Sequence, residues 1–112
     1  MVVSVLTRIQ HAGSPPLSDD CHTLATQIEN YASSILVQPG YCHQATYGSC
    51  LGYVCAKCQQ VAVDTDTWAR VHRALISHCV NAGETGFAND ESDDQYEIGI
   101  EHSGDELPPY NC

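Results

Sequence analysis

Basic residues are scarce in this chain. Arg8, Lys57, Arg70 and Arg73 stand against 14 Asp and Glu, and the formal net charge is −10. Gripping a nucleic-acid backbone takes clustered Lys and Arg, so no nucleic-acid partner is expected. Anionic membrane surfaces are disfavoured for the same reason. The acid excess itself serves solubility. Long apolar runs are also missing. Nothing approaches the roughly 20 residues of a transmembrane helix, so no membrane span is expected. The opening "MVVSVLTRIQ" has neither the basic start nor the apolar stretch of a signal peptide. Phe, Trp and Met occur once each, which leaves Val, Ile, Leu, Ala and Tyr to build the core. No N-x-S/T sequon is present.

What the chain does have is cysteine: seven in 112 residues, a length that fits one domain over 1–112. In "YGSCLGYVCAKC", Cys50, Cys55 and Cys58 crowd together, and three chemistries compete for them. A redox dithiol needs its first thiol at a helix amino end, but "CAKC" lies between the strand-like stretches "LGYV" and "QQVAVD". A zinc site would use Cys55 and Cys58 with Cys79, which has His78 beside it, and His43 or Cys42 would complete the four ligands of the tetrahedron. It lacks a second C-x-x-C, since position 82 is alanine. A disulfide framework fits best, with candidates Cys21, Cys42, Cys50, Cys55, Cys58, Cys79 and Cys112. Its connectivity is left open by the sequence. Such bridges imply an oxidising compartment, hence a secreted, extracellular protein in its mature form. The odd count leaves one thiol over. Either it is buried, with Cys50 the candidate, or it joins two chains through Cys112. A homodimer is therefore expected, with exposed sheet edges as a second route to it.

Periodicity gives the elements. "VVSVLTRIQ" alternates as a strand, and "HAGSPPLS" breaks it. Cys21, Leu24, Ile28 and Tyr31 then mark a helical stripe, with Ser18 or Asp19 as the cap. "SILVQPGY" reads as a short strand, and residues 41–64 as two or three more. "TDTWARVHRALISHCVNAG" is a second helix, capped by Thr65 or Asp66 and apolar along Trp68, Val71, Leu75 and Cys79, with Gly83 just past its end. "YEIGIEH" alternates Tyr96, Ile98 and Ile100 against Glu97, Gly99 and Glu101, which predicts one buried and one solvated face. The order predicts an α+β two-layer sandwich, a mostly antiparallel sheet covered by two helices and stabilised by disulfides. "NDESDDQ" is expected to be a solvated loop. Asp90, Glu91, Asp93 and Asp94 offer oxygen ligands, but not the spacing of a calcium loop.

Three stretches carry a resemblance. Asp20–Cys21 opening a helix, Tyr47 to Cys50 on a strand, and Trp68 to Cys79 on a second helix resemble the fungal secreted effectors of the necrosis-inducing extracellular family. Those are themselves similar to killer toxins. The resemblance spans roughly residues 19–112. It implies a secreted α/β sandwich that acts on a plant or a competing microbe. The basic surface of some killer toxins is absent here, so channel inhibition is not carried over.

The six histidines are His11, His22, His43, His72, His78 and His102. None is set with a carboxylate or nucleophile in a catalytic motif. A ribonuclease-like set would draw on Glu97 and Glu101 with a histidine, and would also need cations for the phosphate. The expectation is therefore a secreted, cysteine-rich effector or elicitor that binds a host or competitor component. No catalytic residue, metal or cofactor is expected. A ribonuclease-like hydrolase and an intracellular zinc module are the alternatives.

Overall fold

The computed structural model describes residues 3–9, 15–90, 96–105 and 107. In chain order the elements are β1 (Val3–Ile9), α1 (Ser18–Tyr31), β2 (Ser34–Val37), β3 (Cys42–Tyr47), β4 (Cys50–Ala56), β5 (Val61–Asp64), α2 (Thr65–His78), a 3-10 turn (Val80–Ala82), β6 (Thr85–Asp90) and β7 (Tyr96–His102). Five strands form one antiparallel sheet in the order β1-β6-β7-β4-β3, and β2 pairs with β5 in a separate ribbon. The expected disulfide-stabilised α+β fold is what forms.

The helices pack side by side on one face of the large sheet. Leu24 and Ile28 of α1 and Trp68, Leu75 and Ile76 of α2 meet Val54, Ile98 and Ile100 of the central strands. Burial of such side chains contributes about 25 cal/mol per Å² of apolar surface. Trp68, placed at the head of the α2 stripe by the sequence, is 2% exposed. On α1 the buried set is Cys21, Leu24, Ala25 and Ile28. The predicted stripe fails only at Tyr31, which is exposed, because the last turn of α1 walls a cavity instead of meeting the sheet.

Both predicted caps are displaced by one residue or more. Leu17 occupies the cap position of α1 and Asp64 that of α2, and neither makes a side-chain cap bond. The polar side chains expected there bind elsewhere. Ser18 Oγ donates to Asn81 Oδ1 at 2.9 Å, and Thr65 Oγ1 accepts from Ser33 N at 3.1 Å. Asp66 pairs with Arg70, four residues on, at 3.1 Å.

Two further differences concern strands. β6, "TGFAND", has no periodic signal and carries Gly, Asn and Asp, which are poor strand formers. It forms because β1 and β7 flank it and pair with it. It takes in the first residues of the acidic run, while positions 91–95, with Glu91, Asp93 and Asp94, lie outside the described residues. In β7 the expected solvated face is not solvated: Glu97 and Glu101 are 6% and 4% exposed. β7 is a central strand, and β4 beside it is buried at every position. Tyr53 of β4 lies across Gly99, where any side chain would collide with its ring. Burial, with the Glu97 and Glu101 carboxylates nearby, pushes the Tyr53 hydroxyl well above the usual phenol range.

Candidate functional site

Helix α1 and the β3–β4 hairpin run against each other, and their two ends are built differently. At the amino end of α1 the contact is a clamp. The hairpin turns through Tyr47-Gly48-Ser49-Cys50, with positive φ (54°) at Gly48 and not at Ser49, the pattern of a type II′ turn. Glycine is needed there twice over, since a β-carbon would also strike the Asp20 carboxylate. That carboxylate accepts from Ser49 N and Ser49 Oγ, both at 2.8 Å. The hydrogen bond from the Ser49 backbone, then that from its hydroxyl, holds the Asp20 carboxyl below its usual range. Ser49 Oγ accepts in turn from Leu17 N at 2.7 Å, and Ser103 Oγ donates to Gly48 O at 2.8 Å. One residue along, Cys21 is bonded to Cys50.

His72 sits under the clamp, fully buried. Its Nε2 is 3.0 Å from Cys21 O. A carbonyl only accepts, so Nε2 carries the proton and Nδ1 holds the lone pair. Burial drives the pKa of His72 down to about 4, against the smaller raising effect of the Cys21 hydrogen bond. The imidazole is therefore neutral at neutral pH. Cys21, Cys50 and His72 bring potential metal-ligand atoms within 4.8 Å of one another. The two sulfurs are joined, however, and a disulfide offers no thiolate to a metal.

At the carboxyl end of α1 the helix and hairpin part. Leu24, Ile28 and Tyr31 wall a cavity of about 260 Å³, with Ile35 and Trp68 lining it and the four consecutive residues His43 to Thr46 along its rim. His43 meets the Trp68 ring edge-on, with centroids 5.7 Å apart at 83°. The indole Nε1–H is buried without an acceptor among the described residues. A wider hollow adjoins the cavity at Thr65, which lines both. It carries Glu29, Asp64 and Asp66.

The cavity follows the backbone of β3 because β3 is an edge strand. Ala56 N donates to Tyr41 O at 3.0 Å, which makes Tyr41 and Ala56 a hydrogen-bonded pair. Antiparallel pairs alternate. With the register of Cys42 on Cys55, residues 43, 45 and 47 bond toward β4, and the backbone groups of Cys42, Gln44 and Thr46 point away from the sheet. The closeness of the Cys42 and Cys55 α-carbons, 4.0 Å, belongs to the non-hydrogen-bonded kind of pair.

The cysteines divide as follows. Cys21–Cys50 and Cys42–Cys55 are bridges. Cys58 is also disulfide-bonded, and Cys112 lies outside the described residues. Cys50 is thus not the leftover residue. It lies within bonding reach of the start of α1, a juxtaposition made by the fold. The buried thiol is Cys79. The zinc set does not assemble, since Cys42 and Cys55 are bonded to each other and His78 is exposed on α2. The other histidines are dispersed: His22 is exposed on α1, His102 is half-buried with Nδ1 on Ser103 O at 2.8 Å, and His11 lies outside the described residues.

Sequence reasoning singled out both halves of the clamp, Asp20–Cys21 and Tyr47 to Cys50, without joining them. It missed the cavity. The lining comes from α1, β2, β3 and α2, and no local pattern marks residues that meet only on folding. No protein-family model and no curated protein matches this chain.

Proposed function

We propose that this chain is a small secreted effector or elicitor of a fungus that acts by binding a host or competitor component, without catalysis. The observation that carries the proposal is the cavity set beside an open strand edge and held by a cross-linked clamp. It is a preformed, mostly apolar recess with a few polar groups at its rim, the build of a binding site. The bridges support an oxidising compartment. Among the described residues no helix is long and apolar enough to cross a membrane. Two of the three stretches that carry the effector resemblance, Asp20–Cys21 and Tyr47 to Cys50, meet in the clamp, which supports reading them as the frame of a binding module.

The ribonuclease-like alternative is weakened by position. Glu97 and Glu101 are buried in the sheet, His72 is committed to Cys21, and His22 and His78 stand on exposed helix surface.

The test infiltrates purified protein into leaf tissue and adds it to cultures of competing fungi. Ala45→Phe, which fills the cavity, serves as the comparison, with its fold checked by circular dichroism. Wild type is expected to provoke a response or growth change that Ala45→Phe does not. RNA cleavage that His102→Ala abolishes would instead establish the hydrolase.

A further inference from the structure

We propose that β3 takes an extended, basic peptide segment of a partner protein as an added strand, with one apolar side chain of that segment seated in the cavity. This rests on the preceding proposal that the cavity is the contact surface, and it names the partner's chemistry.

The backbone comes first. An edge strand is a template for another chain unless it is blunted by Lys, Pro, a bulge or a cover. β3 is "CHQATY", with neither Lys nor Pro, and its register with β4 runs from Cys42 to Tyr47 without a shift. Its outward amides and carbonyls at Cys42, Gln44 and Thr46 make no backbone hydrogen bond with the other described residues. Strand addition supplies affinity through such groups and specificity through pockets for alternate side chains. Here one pocket is in place. Ala45 pairs with Gly52, and Gly52 faces His72 and Leu24, so Ala45 faces the helices. Being small, it leaves the recess open beside it. A residue of the added strand on that face would meet Leu24, Ile28 and Trp68.

Charge selects the occupant. The adjoining hollow presents Glu29, Asp64 and Asp66. Arg73 and Arg70 answer the first and third, while Asp64 makes no cap bond at the start of α2. The chain as a whole carries −10, so a cationic strand is drawn in and an acidic one repelled. The same argument disfavours a second copy of this chain. Two such molecules repel, and β3 brings no Lys or Arg to set against the acids of its twin.

The experiment uses the oxidised full chain and its lone tryptophan, Trp68, as reporter, since it lines the recess. The probe is the acetylated, amidated peptide Lys-Thr-Phe-Thr-Arg. Three companions go with it: Glu in place of both cations, Ala in place of Phe, and N-methyl groups on alternate amides. The parent is expected to shift Trp68 emission saturably and to bind more weakly as salt rises. Each companion is expected to bind at least tenfold more weakly. Because N-methylation alters the ligand, that arm does not depend on any variant folding. Equal binding of the N-methylated peptide would overturn strand addition. Equal binding of the Glu peptide would overturn the charge argument. No binding at all would overturn the proposal, as would light scattering that shows the edge taken by a second copy. If peptides fail while Ala45→Phe still abolishes the tissue response, the contact surface stands and its peptide chemistry falls. If peptides bind while Ala45→Phe stays active in tissue, the reverse holds.

Discussion

The two ends of α1 face the same hairpin and differ in almost every other respect. At Asp20 and Cys21 the helix is fixed to the turn by a disulfide and by hydrogen bonds to a side chain and to backbone. At Ile28 and Tyr31 it stands off the strand and leaves a recess. The hairpin is cross-linked at both ends, by Cys21–Cys50 at the turn and by Cys42–Cys55 at the open end. Among the described residues, the helix is tied to the hairpin by cross-link and side-chain hydrogen bonds only at its amino end. A molecule with few large apolar residues holds an open recess by concentrating its constraints beside it. On the proposal that the recess receives a partner, little conformational freedom is then lost on binding, which is what preorganisation means.

The largest expected effect comes from breaking the clamp. Cys21–Cys50 spans 29 residues and Cys42–Cys55 spans 13. Closing loops of those lengths restricts the unfolded chain by roughly 3–4 and roughly 3 kcal/mol. Replacing Cys21 and Cys50 with alanine also removes two sulfurs from fully buried positions. The melting midpoint should fall by more than about 10 °C. The Cys42 and Cys55 double replacement should cost less. Equal losses in thermal melts would show that the two ends of the hairpin are not distinguished as described. In both variants, as in wild type, Cys79 should resist alkylation until the chain is denatured, because its sulfur is buried.

Acid should weaken the clamp in two separate windows. His72 has its folded pKa driven down to about 4 from about 6.5 in the unfolded chain. The unfolded state therefore binds more protons between those values, and stability rises with pH there. The contribution of the neutral imidazole is complete above about 6.5 and is lost as pH falls toward about 4. A shift of that size corresponds to roughly 3 kcal/mol. His72→Gln should flatten the slope of stability between pH 4 and 6.5. A slope that persists would place the titration elsewhere. Asp20 acts lower. Its depressed pKa gives a contribution that is present above about 3.8 and is lost as pH falls through the folded value.

Asp20→Asn should lower the midpoint less than loss of the disulfide does, and should remove only the acid-side slope. The amide oxygen can still accept one hydrogen bond from Ser49, but carries no charge. Asp20→Ala should cost more than Asp20→Asn. If the two behave alike, the bonds to Ser49 add nothing beyond the cross-link.

What was legible in the sequence follows from which interactions are local. Both helices showed through their 3.6-residue periods, and Trp68 was placed correctly because its neighbours on the stripe are its neighbours in sequence. The caps were misread, since Ser18 and Thr65 are satisfied by Asn81 and Ser33, far away in the chain. β6 was invisible because its support comes from β1 and β7, not from its own residues. The polarity of Glu97 and Glu101 suggested water, yet a strand at the centre of a sheet can be closed on both faces whatever its alternation. Of the site, the clamp halves were marked by unusual residues. The recess was not, being an absence of contact between segments that are each ordinary.

The smallest expected effect tests the open end. Tyr31 is 74% exposed at the last turn of α1. It contributes a wall to the recess and little to the core. Surface substitutions of this kind stay within about 0.5 kcal/mol, so Tyr31→Ala should leave the melting midpoint nearly unchanged. The same substitution widens the recess beside Trp68. Native Trp68 emission should be blue-shifted, as befits a ring that is 2% exposed, and in Tyr31→Ala it should move toward the red without any loss of helix by circular dichroism. Because Ala32 ends the helix through its own left-handed turn, with its backbone N–H on Glu29 O, the Tyr31 side chain is not needed to stop it. A midpoint that fell by several degrees would mean that the aromatic ring holds the helix against the hairpin. The carboxyl end of α1 would then be a second clamp, and the recess a packing space of the fold rather than a site.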